Sequence, residues 1–420
     1  MWNPKAAKWR KGRKNLFDEI QAKFIGEPAG CIWVHCSSVG EFEQAKPVIE
    51  RIKGQGTRDK EQVGPDDPVR WGTRNKLVLT FFSPSGYEAN KNYPLADFVF
   101  YLPLDSAGHA KKFLNMIKPS LIIWVKYDFW YYYLREINQK QIPCILISAV
   151  FRKQQIFFQW FGGLQRTMLS FFTKIFVQDE ISKQLAKTIG IENCEVAGDT
   201  RFDRVIEIAE NFKPLQFIED FLQNSKCMVA GSTWWEDEAA LRKVYELFKE
   251  EDLKLIIAPH EIDRRRIEEI ENLFPTALKF SEIKNDPVEF SRRPAELRKI
   301  LIIDNIGMLS KLYHYGYINY VGGGFTKDGV HNVLEAAVYA KPVLFGPNFK
   351  KYREATGLIE AGGAKSFSND SELNTHTRLF IHDAAIYTKH CEASKNFVWE
   401  NKGAAEKIFN YIQENRLLTS

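Results

Sequence analysis

The feature that most constrains this chain is a series of short β-rich apolar runs, each followed by a helix-like segment. It occurs once between residues 31 and 178 and again between 226 and 345. In the first half the runs are 31–36, 76–82, 121–125, 144–148 and 174–178; the second series is 226–230, 253–258, 299–303, 317–321 and 342–345. A run that is apolar on both faces reads as a strand covered on both sides, and strands alternating with helices form a parallel sheet. The pattern predicts an α/β chain of two doubly wound Rossmann-like domains facing a cleft. A length of 420 residues fits two domains at about 100–200 residues each. The expected division is a basic flank at 1–14, a first domain at 15–205 and a linker at 206–222, where Pro214 interrupts a polar helical stretch. A second domain follows at 223–383, and helices at 384–420 pack back on the first domain. The polar, Gly- and Pro-containing stretch 54–75 reads as an exposed loop.

The net charge of +5 raises the question of a nucleic-acid partner. The excess is local, because Lys5, Lys8, Arg10, Lys11, Arg13 and Lys14 stand in the first 14 residues with no acid, and the remainder carries 52 basic against 53 acidic residues. A neutral body argues against a polyphosphate-binding surface, so no nucleic acid is expected. The six cysteines are scattered, with no C-x-x-C pair, and read as reduced core residues rather than disulfides or a zinc site. No apolar run reaches the roughly 18 residues of a membrane span, and no apolar stretch follows the basic start as in a secretory signal.

Ligands of open α/β sheets sit outside the carboxyl ends of the strands. Three turns there have suitable composition. The first, His35-Cys36-Ser37-Ser38-Val39-Gly40-Glu41, combines small residues with a carboxylate in the first helical turn, where Glu41 can act as a general base. The second, Ala230-Gly231-Ser232-Thr233, offers hydroxyls and amides to an anionic group. The third, Gly322-Gly323-Gly324-Phe325 followed by His331-Asn332-Val333-Leu334-Glu335, brings backbone close to a ligand; the next helix offers its N-terminus to a phosphate, and Glu335 can hold ribose hydroxyls. Each turn also has a purely structural reading. Ser38-x-x-Glu41, Thr233-x-x-Glu236 and Asn332-x-x-Glu335 all have capping-box spacing, which alone only stabilises a helix start. Asp128 is either a second carboxylate beside Glu41 or a cap before Phe129-Trp130, and His260, after Pro259, is either a ligand contact or structural. The aromatic stretch 151–161, with Arg152 and Lys153, reads as a lipid-facing surface or a plain core helix. The glycine triplet lacks G-x-G-x-x-G spacing and no G-x-x-x-x-G-K-[ST] loop exists, which disfavours a nicotinamide oxidoreductase and a P-loop ATPase.

In order and content these motifs resemble the 3-deoxy-D-manno-octulosonic acid (Kdo) transferases of lipopolysaccharide assembly, which have the glycosyltransferase B fold. The resemblance runs from Ile32-Trp33-Val34-His35 and Ser38-Val39-Gly40-Glu41 through Phe82-Ser83-Pro84-Ser85-Gly86, Val177-Gln178-Asp179-Glu180 and Ala197-Gly198-Asp199-Thr200-Arg201-Phe202-Asp203. It continues with Gly231-Ser232-Thr233, Val321-Gly322-Gly323, His331-Asn332-Val333-Leu334-Glu335-Ala336-Ala337 and Lys341-Pro342-Val343-Leu344-Phe345-Gly346-Pro347. It implies transfer of Kdo from CMP-Kdo to the lipid A precursor (lipid IVA), inverting and without metal or cofactor. Glu41 would be the base, supplemented by Asp128. Ser38, Gly40, Arg201, Ser232, Thr233, His260, Gly322, Gly323, His331, Asn332 and Glu335 would fall at donor-site positions.

The chain departs from the family pattern at Lys126-Tyr127-Asp128, where Glu-Thr-Glu is usual, and at Gly307-Met308, where Gly-Glu is usual. The resemblance also implies a natural membrane anchor upstream of Met1. The basic stretch with Trp2 and Trp9 would then lie at the cytoplasmic face of the bacterial inner membrane. Two other sugar-nucleotide enzymes fit the same two-domain pattern: a nucleotide-diphosphate-sugar transferase and a non-hydrolysing UDP-sugar 2-epimerase.

Overall fold

The computed structural model describes residues 4–27, 30–54, 75–126, 128–248, 253–285, 294 and 298–418. Most of the 54–75 stretch, Trp2 and Tyr127 lie outside the described residues. The chain divides into two compact units, residues 1–204 with 402–420 and residues 205–401.

Among the described residues the first unit holds seven strands: β1 Cys31–Cys36, β2 Leu77–Phe81, β3 Phe98–Tyr101, β4 Pro119–Val125, β5 Cys144–Ala149, β6 Lys174–Val177 and β7 Cys194–Val196. They form one parallel sheet in the order β3-β2-β1-β4-β5-β6-β7. Alternate side chains feed the two faces, as the pleat requires. Trp33, Val78, Phe100, Ile122, Trp124 and Leu146 belong to one core, while Ile32, Val34, Leu77, Leu79, Ile123 and Ile145 belong to the other. Helix Val39–Ile52 covers the second face by burying Phe42, Ala45, Val48, Ile49 and Ile52, a stripe at helical spacing. Phe42 alone contributes about 2–3 kcal/mol of burial.

The second unit repeats the plan with β8 Lys226–Thr233, β9 Leu253–Pro259, β10 Leu278–Lys279, β11 Ile300–Ile302, β12 Ile318–Val321, β13 Val343–Phe345 and β14 Ala364–Ser366. The order is β10-β11-β9-β8-β12-β13-β14, again parallel. Two doubly wound parallel sheets establish the glycosyltransferase B type of fold.

The expected boundaries need correcting at two places. Residues 206–222 are not a linker. Helix Thr200–Glu210 crosses the division and helix Gln216–Leu222 follows, its buried Ile218, Phe221 and Leu222 forming an apolar stripe that must be packed. The C-terminal helices also split. Helix Ala384–Glu400 stays with the second unit, where Tyr387 stacks on Tyr317 at 4.0 Å, whereas helix Ala404–Glu414 buries Ala405, Ile408 and Ile412 in the first unit's core. Asp203 fastens that last helix, accepting from the Gly403 and Ala405 N–H groups at 2.8 and 3.0 Å.

Within the basic start Lys8, Arg10, Lys11 and Lys14 are exposed, whereas Arg13 is held. Arg13 lies over the rings of Trp9, Phe82 and Tyr101 and donates to the Phe82 and Leu102 carbonyls at 2.9 and 3.1 Å. Burial lowers its pKa to about 10, so the guanidinium stays charged inside this aromatic clamp.

Candidate active site

In the first sheet the strand order reverses between β1 and β4, so the switch point where such folds bind ligands lies at their carboxyl ends. The turn after β1 carries Ser37, Ser38, Gly40 and Glu41, and the segment after β4 carries Lys126 and Asp128. Ser38 caps the helix by accepting from the Glu41 N–H, while the Glu41 carboxylate reaches back to the Ser37 N–H. The capping reading of this turn is therefore literally present, yet it leaves the other carboxylate oxygen of Glu41 outside the cap. Burial lifts the carboxyl pKa to about 7; the Ser37 N–H opposes that rise, the Asp128 charge adds to it and Lys126 opposes it. A group poised there can accept a proton near neutrality. Ser37 Oγ is buried without a hydrogen-bond partner among the described residues. Gly40, in the first helical turn, would meet nothing among the described residues within 4 Å if it carried a Cβ.

Asp128 is exposed and does not cap the following helix. Asp105 does so, accepting from the Tyr132 and Tyr133 N–H groups at 3.1 and 3.2 Å. The segment after β4 is instead held by indoles. Trp124 Nε1 donates to the Asp128 carbonyl at 3.0 Å, and Trp130 Nε1 donates to His35 Nε2 at 3.3 Å. That contact puts the neutral ring's proton on Nδ1, which donates to Thr80 Oγ1 at 2.9 Å; Trp33 Nε1 donates to the same oxygen at 2.8 Å. Burial pushes His35 down to about 3, so it remains neutral and serves as a buried joint between β1, β2 and the segment bearing Asp128.

Arg201 lies in the first unit with its guanidinium on the Asp199 carboxylate at 2.6 and 2.9 Å. With Thr200 donating to the Gln44 carbonyl at 2.8 Å, and with Asp203 as described, the Asp199–Asp203 motif works as a strap of the fold.

In the second sheet the reversal lies between β8 and β12. The strand register shifts between Gly231 and Thr233, and Ser232 takes a left-handed φ of 53°, a bulge that re-aims its side chain out of the strand. Thr233 is buried, and its hydroxyl donates to Glu238 at 2.7 Å rather than capping a helix with Glu236. Glu238 in turn pairs with Arg266; burial lifts its pKa to about 7, against the pull of Thr233 and Arg266. The true cap is Asp237, which accepts from the Trp234 N–H, the Gly323 N–H and the Tyr320 hydroxyl at 2.9, 2.8 and 2.6 Å.

The glycine triplet corrects a second expectation. A Cβ on Gly322 would lie 2.3 Å from the Ser232 carbonyl oxygen, one on Gly323 2.6 Å from the Gly329 carbonyl oxygen, and one on Gly324 2.5 Å from the Gly346 nitrogen. The chain's own backbone makes the close approach. The following helix is a single turn, Leu334–Ala337, too short to present the expected dipole end. Asn332 accepts from the Leu334 N–H at 3.2 Å and donates to Glu335 at 2.9 Å, which fixes that half-buried carboxylate. His260 is exposed, and its ring lies 4.5 Å from that of His331. Trp234, Asp237 and Trp130 escaped sequence reading; the adjacent acids Asp237-Glu238, in a helix that buries both, were the one available signal.

The aromatic stretch 151–161 is neither a core helix nor wholly exposed. Phe151 and Phe157 are buried, while Ile156, Trp160 and Phe161 face solvent, Trp160 with 89% of its surface accessible.

Residues 10–204 match the family model described as 3-deoxy-D-manno-octulosonic-acid transferase (kdotransferase). A bifunctional glycosyltransferase/methyltransferase of Fusobacterium nucleatum is 27% identical over 92% of this chain, which spans 55% of that protein's length. A 3-deoxy-D-manno-octulosonic acid transferase of Aquifex aeolicus is 27% identical over 82% of this chain and 84% of its own. Among solved structures, a UDP-GlcNAc 2-epimerase of Neisseria meningitidis bound to UDP-GlcNAc superposes with a TM-score of 0.61 at 16% identity, covering 91% of this chain and 100% of its own, a likeness of fold alone. Through residues 10–204 the chain is thus similar to the 3-deoxy-D-manno-octulosonic-acid (Kdo) transferases, and its similarity to glycosyltransferases extends across both units.

Proposed function

We propose that this chain transfers Kdo from CMP-Kdo to the lipid A precursor lipid IVA, inverting the anomeric carbon and needing no metal. The observation that carries the reading is Glu41, half-buried at the β1/β4 switch point with a pKa near 7. Its carboxylate takes the proton of the acceptor's primary hydroxyl as that oxygen attacks the anomeric carbon. The bond from that carbon to the CMP phosphate oxygen breaks, and CMP leaves with the electron pair as a stable phosphate monoester. The open space at Gly40 supports the approach of an acceptor, because a helical glycine costs about 1 kcal/mol relative to alanine and no neighbour in the chain requires one there. On the donor side Ser232, Asn332 and Glu335 are the polar groups at the second switch point, with Glu335 facing the ribose hydroxyls.

The acceptor is a lipid, and the reading places the enzyme at the cytoplasmic face of the bacterial inner membrane. The exposed Ile156, Trp160, Phe161 and Leu164, beside the exposed Arg152 and Lys153, support contact with an anionic bilayer surface. Among the described residues no helix is long and apolar enough to cross a membrane.

The test is incubation with freshly generated CMP-Kdo and lipid IVA, in chelator, with analysis of the lipid by mass spectrometry. A Kdo-bearing lipid is expected from the wild type, and its absence sinks the assignment. Binding of CMP in preference to UDP is the companion result, since the reverse preference would favour a UDP-sugar enzyme of the same fold.

A further inference from the structure

Three rings join the turns after β8, β9 and β12. The Trp234 indole and the His331 imidazole lie within 7° of parallel, 6.4 Å apart between centroids, and the indole Nε1–H donates to His331 Nε2 at 3.0 Å. Parallel planes joined through an in-plane N–H lie edge to edge and make one continuous plate. His260 lies over both members, 4.8 Å from Trp234 and 4.5 Å from His331, inclined by 24° and 21°. A Cβ on Gly323 would stand 2.8 Å from His331 Cδ2, so the imidazole lies hard against glycine backbone that Asp237 fixes through the Gly323 N–H.

The hydrogen bond also sets chemistry. With Nε2 accepting, the neutral His331 ring carries its proton on Nδ1. Burial first, and the neighbouring His260 second, hold the His331 pKa at about 4, so an uncharged plate backs the exposed His260 near neutral pH.

We propose that this plate is the base-stacking seat of the second unit, with His260 as the ring that meets the planar base of a nucleoside monophosphate and Trp234 as the positioning residue that holds it flat through His331. The inference rests on the reading of this unit as the nucleotide-binding one. It commits to a planar aromatic ligand because an imidazole backed face-on by two other rings has lost its freedom to tilt. Stacking on a fixed ring is correspondingly favourable.

The experiment measures binding of CMP, ribose 5-phosphate and inorganic phosphate by calorimetry, together with the 15N shifts of the histidine rings. In the free wild type the shifts are expected to show His331 protonated on Nδ1, and CMP is expected to bind more tightly than ribose 5-phosphate. His260→Ala is expected to weaken CMP binding about tenfold, whereas His260→Phe, which keeps a flat ring, stays within about twofold. Trp234→Phe keeps an aromatic ring and loses the N–H. It is expected to redistribute the His331 proton between the two nitrogens and to raise the donor KM about three- to tenfold with kcat unchanged. Equal losses in His260→Ala and His260→Phe, or a His331 tautomer and donor KM that ignore Trp234→Phe, overturn the proposal. Failure of the wild type to bind CMP at millimolar concentration overturns the donor-site reading instead, while the tautomer assignment is judged separately by the shifts.

Discussion

At the β1/β4 switch point a half-buried carboxylate keeps one oxygen outside its cap, a buried serine hydroxyl lacks a partner, and Gly40 borders open space. At the β8/β12 switch point the buried acids are spoken for. Asp237 takes three donors and Glu238 takes Thr233 and Arg266, while the glycines are filled by the chain's own backbone. The same sheet plan thus has two outcomes: the first unit leaves one oxygen of a half-buried carboxylate outside its cap, whereas the second engages its buried acids internally. Burial lifts Glu238 to about 7 as it lifts Glu41, so the two sites differ in which carboxylate oxygens are already engaged rather than in pKa.

The comparison breaks most visibly at Glu41. Glu41→Gln keeps an acceptor for the Ser37 N–H and is expected to leave the fold and CMP binding intact while lowering the transfer rate about 10²- to 10⁴-fold. A loss below about threefold in a direct transfer assay would remove Glu41 as the base. The matching change in the second unit should strike stability. Asp237→Ala strands two backbone N–H groups and the Tyr320 hydroxyl and is expected to cost about 3–5 kcal/mol in urea unfolding. Asp237→Asn, which keeps an acceptor, should cost less. If Asp237→Ala is no worse than an exposed substitution, the second switch point is not held as described.

The ten strands legible in the sequence are the interior strands of the two sheets, and the four that escaped are β3, β7, β10 and β14, the outermost strand on each edge. An interior strand is buried on both faces and reads as an apolar run. An edge strand pairs on one side only, and Cys194–Val196, Leu278–Lys279 and Ala364–Ser366 are two or three residues long with a charged residue in each. The cap at Glu41 was legible because the Ser38-x-x-Glu41 spacing lies within one turn. The glycine triplet was legible as a close approach, but the sequence does not say whether a ligand or another loop approaches. The Trp234–His260–His331 plate left no local signal, since its members come from three separate turns that meet only through the order β9-β8-β12.

Two alanine substitutions sharpen the contrast between filled and open glycines. Gly324→Ala drives a methyl against the Gly346 backbone and is expected to destabilise by about 1–3 kcal/mol. Gly40→Ala meets nothing among the described residues, sits in a helix and should stabilise by about 0.5–1 kcal/mol. On the proposed function it should nonetheless reduce transfer activity, because the methyl would occupy the space that reading gives to the acceptor. Thermal unfolding paired with a rate measurement reads both. A Gly40→Ala protein that is more stable and fully active would show that the open space is incidental.

The smallest effect tests the electrostatics of the first switch point. A base acts when ionised, so with the Glu41 carboxyl at about 7 the value of kcat/KM should rise with pH through that region and fall away below it as the carboxylate takes up a proton. Asp128 raises that pKa and Lys126 lowers it. Asp128→Asn removes a like charge, makes the carboxylate easier to form and moves the ascending limb to lower pH. Lys126→Met removes the opposite charge and moves the limb to higher pH. Because Asp128 is exposed, water and salt screen its influence, and the wild-type and Asp128→Asn profiles should converge as ionic strength rises. A limb that moves upward in Asp128→Asn would mean that Asp128 acts on Glu41 by contact or hydrogen bonding rather than by its charge, and the indole-held segment after β4 would then be part of the catalytic arrangement itself.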